Sequence, residues 1–166
     1  MNAAMLLGAG NRRTWILLIA AMITTAILAS ACVSNDETQA RIDNARRTIS
    51  GALMSDLNSC VRIGHKMTYA GADIRNSLLP ELKMRFFAVE KMNLALKDGF
   101  GEAYMPVSAQ LIYRIGNAIT QLEDAYRTGK DAKDAEEALS SQVLELNSVL
   151  RNRFDPNGEI IGMPTN

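Results

Sequence analysis

The stretch Val107-Ser108-Ala109-Gln110-Leu111-Ile112-Tyr113-Arg114-Ile115-Gly116-Asn117-Ala118-Ile119-Thr120-Gln121-Leu122-Glu123-Asp124-Ala125-Tyr126-Arg127-Thr128-Gly129 decides the fold class. Val107, Leu111, Ile115, Ala118, Leu122 and Ala125 recur every three or four residues, which puts them on one face of a helix. Ile112, Ile119 and Tyr126 widen that face. Ser108 offers a side-chain oxygen to the free N–H groups of the first turn, and Gly129 can take the positive φ that closes a helix. An amphipathic helix of this kind is stable only when other elements cover its apolar stripe.

Three further segments carry the same period. Ile42, Ala45, Ile49, Leu53, Leu57, Cys60, Gly64 and Met67 predict a helix over about 39–69, closed by a positive-φ glycine at Ala70-Gly71. Leu79, Leu82, Phe86, Val89 and Leu96 predict a second over 77–97, with Ser77 as cap because Pro80 belongs in a first turn. Its stop is Asp98-Gly99-Phe100-Gly101. Ala135, Leu139, Val143, Leu146 and Leu150 predict the last over 131–153. Acids crowd its first turns and Arg151 and Arg153 close it, as the helix dipole favours. Connections of five to ten residues favour antiparallel neighbours. The expectation is an all-α, antiparallel up-down four-helix bundle over 39–153, with a turn at Asp155-Pro156-Asn157-Gly158 opening a C-terminal tail over 154–166.

Upstream, Arg12-Arg13 precede an uncharged apolar run from Trp15 to Leu28, then Ala29-Ser30-Ala31-Cys32. Positive charge, apolar core and small residues form the grammar of an export signal or membrane anchor over 1–32. Three endings fit. Ala29-x-Ala31 suits signal peptidase. Small residues running into Cys32 resemble a bacterial lipoprotein signal, which would make Cys32 the lipidated N-terminus of the mature chain. Without cleavage the segment stays as a single anchor, with Arg12 and Arg13 on the cytoplasmic side. Arg12-Arg13-Thr14-Trp15-Ile16 also looks like a twin-arginine signal, although basic residues flank any such apolar run. Residues 33–38 are polar and read as a spacer between the membrane and the domain.

Charge is balanced overall but not along the chain. From Arg41 to Lys97 there are ten basic and five acidic residues, and from Asp98 to Glu159 six basic and eleven acidic. The bases are interspersed with acids, so mutual attraction across one bundle explains the asymmetry better than a nucleic-acid surface.

Chemistry is sparse. A single histidine, His65, is too few for Glu-x-x-His di-metal or zinc sites. No CxxC, GxGxxG, GxxxxGK or GxSxG motif occurs. Cys60, at helical spacing among Leu57 and Val61, reads as a buried thiol, although a Cys32–Cys60 bridge is conceivable if Cys32 is not lipidated. His65, Met67, Cys60 and Met84 form a weak soft-metal set whose methionines lie on or beside core stripes. Asp155-x-Asn157-x-Glu159 starts like a calcium loop but has Ile160 where the glycine belongs. No metal or cofactor is expected.

The loop from Phe100 to Pro106 gathers Phe100, Tyr104 and Met105 around Gly101, the composition either of a partner-binding site or of a plug at one end of the bundle. The expected function is therefore protein contact without catalysis. The chain would be a membrane-tethered, extracytoplasmic scaffold, adaptor or envelope-complex subunit, with a helix groove or this loop as its surface. The alternative is a sensing or carrier module that holds an apolar small molecule between helices.

Overall fold

The computed structural model describes the backbone of residues 4–162 and the side chains of residues 36–162. It is all-helical, with α1 (Ala4–Tyr69), α2 (Ala72–Phe100), a 3-10 turn (Glu102–Tyr104), α3 (Ala109–Thr128) and α4 (Lys133–Arg153). The described residues contain no strand, only an isolated antiparallel bridge between Phe154 and Ile160. The signal or anchor segment and Cys32 lie outside the described side chains. Among the described residues no helix is long and apolar enough to cross a membrane.

The chain divides into two compact units, residues 1–44 and 45–166. In the first, Arg41 pairs with Glu37 one turn earlier at 2.8 Å. The second unit holds a four-helix bundle. Its core takes Leu53, Leu57, Cys60, Ile63 and Met67 from α1, and Leu79, Leu82, Phe86, Val89 and Leu96 from α2. Leu111, Ile115, Ala118, Ile119 and Leu122 come from α3, and Ala135, Leu139, Val143 and Leu146 from α4. Fully burying one such leucine or isoleucine contributes about 1.5–3 kcal/mol, so these stripes are the main source of cohesion. The α1 stripe becomes part of that core only from Ile49 onward; Ile42 is 43% exposed.

Cap chemistry follows the sequence on α3. Ser108 Oγ accepts from the Leu111 N–H at 3.2 Å, and Gly129 closes the helix at φ 67°. The α1–α2 junction departs from expectation in three ways. The connection is only Ala70-Gly71, shorter than any predicted. Gly71 has φ −71° and serves as the N-cap of α2, so no left-handed glycine closes α1. The Arg75 guanidinium instead reaches back, its Nε donating to the Ala70 carbonyl at 2.8 Å.

The second helix also starts earlier than Ser77. Ser77 is interior, with its hydroxyl donating to the Ile74 carbonyl at 2.8 Å, and Pro80 stands inside the helix. Pro80 is on the exposed face, where water can satisfy the carbonyl that its missing N–H leaves free. At the other end Gly101, at φ 101°, donates its N–H to the Lys97 carbonyl at 2.8 Å.

Past α4 the chain turns sharply. Asp155 Oδ1 accepts from the N–H groups of Asn157 and Glu159 at 2.9 and 2.7 Å. Phe154 is 5% exposed and belongs to the core, so the start of the C-terminal segment is packed. Gly158 has φ 84° and lies against α1, where a Cβ would meet the Gly51 Cα at 3.2 Å.

Ion pairs join the basic first half to the acidic second: Arg47 to Glu159 at 2.9 Å, Lys83 to Glu123 at 2.5 Å, and Arg75 to Glu136. The exposed pairs, Arg47–Glu159 and Lys83–Glu123, are worth about 0–1 kcal/mol each, so they select helix neighbours more than they hold the bundle together, whereas Arg75 and Glu136 are largely buried.

Candidate functional site

Two concave places and one exposed helix face stand out in the second unit. The smaller cavity, about 220 Å³, has Gly64, Met67, Leu122 and Leu139 among its lining residues, with Thr68, Ser140, Arg75, Tyr126 and Glu136 also bordering it. Its polar groups already satisfy one another. Glu136 accepts from Arg75 on one oxygen and from the Tyr126 hydroxyl, at 2.9 Å, on the other. Burial first, and then the Glu136 carboxylate, push the Tyr126 phenol up to about 12.

The larger groove, about 630 Å³, runs between α2 and α3. Asn76, Leu79, Pro80, Lys83, Met84 and Phe87 form one wall, and Glu123, Tyr126 and Arg127 the other. Beside it α2 turns a second apolar stripe outward: Met84 is 62% exposed, Phe87 58% and Leu94 46%. Lys91 lies within the same stripe, its Nζ 5.0 Å from the centre of the Phe87 ring. These positions are offset by roughly half a helical turn from the buried Leu82, Phe86 and Val89, so both faces of α2 are apolar at the middle of the helix.

The residues singled out in the 99–106 loop sit differently. Tyr104 is 8% exposed and belongs to the core, its ring 5.9 Å from Phe100, which packs against that core. Arg46 stacks over the Tyr104 ring at 5.5 Å, and Met105 is half-buried. What fixes this loop is Asn93, a residue the apolar pattern passes over. It is 3% exposed and donates from Nδ2 to the Val107 carbonyl at 2.8 Å, while Oδ1 accepts from the Val107 N–H at 3.1 Å. The one available signal was position: Asn93 interrupts the Val89–Leu96 stripe with a polar residue, and a polar residue on a core face needs partners.

The remaining candidates do not converge. Cys60 and Met67 are buried, whereas Met84 and His65 are exposed, His65 against Tyr69 with ring centroids 5.4 Å apart. The Cys60 thiol is pushed up to about 12, mainly by burial and further by the Asp56 charge, against the opposing pull of Arg85. Among the described residues no three His, Cys, Asp or Glu side chains group as metal ligands would.

No known protein family, curated protein or solved structure matches this chain.

Proposed function

We propose that this chain is a membrane-tethered, extracytoplasmic four-helix bundle that acts by protein contact, as a scaffold, adaptor or subunit of a cell-envelope complex. It carries out no catalysis of its own and binds no nucleic acid. The observation that carries the reading is the outward stripe of Met84, Phe87 and Leu94 on α2, next to the α2–α3 groove. A second apolar face on a helix whose first face is already buried costs solubility unless something covers it. Compared with that stripe, Phe100, Tyr104 and Met105 offer little surface, so the principal contact is placed on α2.

The proposed helix order is antiparallel, up-down-up-down. Pair registers support it. Gly64 and Thr68 of α1 meet Val143 and Ser140 of α4 in reverse order. Lys83 and Asn93 of α2 meet Glu123 and Val107, and Arg114 and Tyr126 of α3 meet Glu145 and Glu136.

The tether is the apolar run Trp15–Leu28, held through lipid on Cys32 or kept as an uncleaved anchor. The mature mass of chain isolated from membranes tests it: a start at Cys32 with added acyl chains, or an unprocessed chain, supports the tether. A free, unacylated N-terminus downstream of residue 32 contradicts it.

The carrier reading has one observation in its favour, the cavity beside Met67 and Leu122, but at about 220 Å³ it is smaller than the pockets that enclose most ligands. A ligand mass retained in native mass spectrometry would favour it over contact. For the contact reading, Phe87→Glu should abolish cross-linking to the partner without changing helicity; unchanged cross-linking would remove α2 as the surface.

A further inference from the structure

We infer that Asn157 is a self-modification site, its side-chain amide converted to a carboxylate by the backbone nitrogen of Gly158 when the C-terminal turn lifts off α1. The reaction needs only water, and it stands apart from the contact reading above.

The sequence singles out the residue. Asn157 is the one asparagine of the chain that is followed by glycine. With no Cβ on Gly158, its backbone nitrogen can approach the Asn157 Cγ without obstruction. In that attack the nitrogen–Cγ bond forms and the Cγ–Nδ2 bond breaks. Nδ2 leaves as ammonia, taking the proton that the Gly158 nitrogen gives up. Water then opens the resulting succinimide at either carbonyl. One opening yields aspartate, the other an isoaspartate whose backbone runs through Cβ. One water is consumed, one ammonia is released, and nothing is oxidised or reduced. The other asparagines from Asn44 to Asn152 all lie within helices, where the following N–H is tied into the regular hydrogen-bond ladder.

The structure supplies both access and a brake. Asn157 is exposed and outside every helix, so water reaches its amide. Gly158, by contrast, is buried, at φ 84°, and its N–H donates to the Asp155 carbonyl at 3.1 Å. Its backbone is seated on α1: a Cβ there would stand 3.2 Å from the Gly51 Cα and 3.6 Å from the Met54 Cε. The leaving nitrogen is held too, with Asn157 Nδ2 donating to Asp155 Oδ2 at 3.4 Å. Phe154 in the core and the Arg47–Glu159 pair at 2.9 Å keep the turn in place. Nucleophile and leaving group are both engaged while the turn is closed, so the rate follows the fraction of time that it is open.

The products do not fit the closed turn. A carboxylate at position 157 sets an acceptor against Asp155 Oδ2, where a donor stood. Isoaspartate lengthens the backbone between the two N–H groups, of residues 157 and 159, that Asp155 Oδ1 collects. Either product favours the open turn, and the part of α1 from Arg47 to Met54 loses its cover. The change is one-way, because the released ammonia does not return.

The test incubates the full chain in detergent micelles at mildly alkaline pH, and peptide mapping by mass spectrometry counts aspartate and isoaspartate at position 157. Conversion there should precede that of every other asparagine. Urea should speed it at least about tenfold, because Phe154 then no longer holds the turn in the core. Without urea, F154A should accelerate it comparably and R47A by a smaller factor; R47A alters only an exposed pair, so it carries the comparison if F154A unfolds. In N157D the Gly158 amide should exchange its hydrogen faster than in the unsubstituted chain. No product at position 157 in the folded chain, while the chain in urea converts fully, overturns the site. Equal rates with and without urea, or a rate that R47A leaves unmoved, overturn the control by the turn. Unchanged exchange at Gly158 in N157D overturns the loss of cover.

Discussion

Asn93 clamps Val107 from both sides of its peptide, accepting its N–H at 3.1 Å and donating to its carbonyl at 2.8 Å. Both residues are buried, Val107 fully. One side chain thus satisfies two backbone groups that would otherwise be stranded in the core, and it seats the connection between α2 and α3. Replacing Asn93 with Leu or Ala strands both groups, and a loss of about 2–4 kcal/mol in unfolding free energy is expected. Urea unfolding measures it; a loss below 0.5 kcal/mol, on the order of a neutral surface change, would show that the clamp is dispensable.

Gly64 marks the closest approach of α1 to α4. A Cβ there would collide with Val143 Cγ2 and stand 3.2 Å from Cγ1, so Gly64→Ala should cost about 1–3 kcal/mol. Adding Val143→Ala should recover part of that cost, because the collision is with this one side chain. A double-mutant cycle with no coupling would mean that the helices separate instead of clashing.

The Tyr126 phenol, raised from 10.0 to about 12 by burial and by Glu136, makes stability fall at alkaline pH. The sign follows from the direction of the shift. The unfolded phenol ionises near 10, the folded one near 12, so this contribution is whole below 10 and is lost as pH rises through 12. Tyr126→Phe should flatten that part of the stability profile. Glu136→Gln should lower the Tyr126 titration only partway, since burial is the larger cause; a complete return to the ordinary value would contradict that ranking.

Cys60 is 1% exposed and its thiol is held near 12. At pH 8 it should resist a disulfide reagent in the folded protein and react fully in denaturant. Rapid labelling under native conditions would mean that α1 opens locally.

Much of this fold is legible in the sequence, for a physical reason. The stripes on α3 and α4 are separated cleanly from polar faces, and Ser108 and Gly129 act at the ends where their chemistry places them. Pro80 was misread because its cost depends on exposure: with its free carbonyl turned to water, the helix runs through it. Gly71 was misread because it opens α2 at φ −71° instead of closing α1: the last turn of α1 is met by the Ala70 N–H on the Met67 carbonyl, and Arg75 Nε takes the Ala70 carbonyl at the junction. The loop around Phe100 and Tyr104 shows why composition alone does not locate a surface: aromatic residues beside glycine can face either way, and Tyr104 faces the core. The outward stripe of Met84, Phe87 and Leu94 was hidden in plain view, since a helix apolar on two sides blurs its own periodicity.

The outward face of α2 is the proposed contact surface. Phe87 and Leu144 are both large, apolar and exposed, at 58% and 66%, but only Phe87 belongs to the α2 stripe. A photoreactive residue placed at each position in turn, in the full chain within its native membranes, tests the claim most directly. A discrete protein adduct from position 87 and none from position 144 is the predicted result. No adduct from position 87, or the same adducts from both, would contradict it.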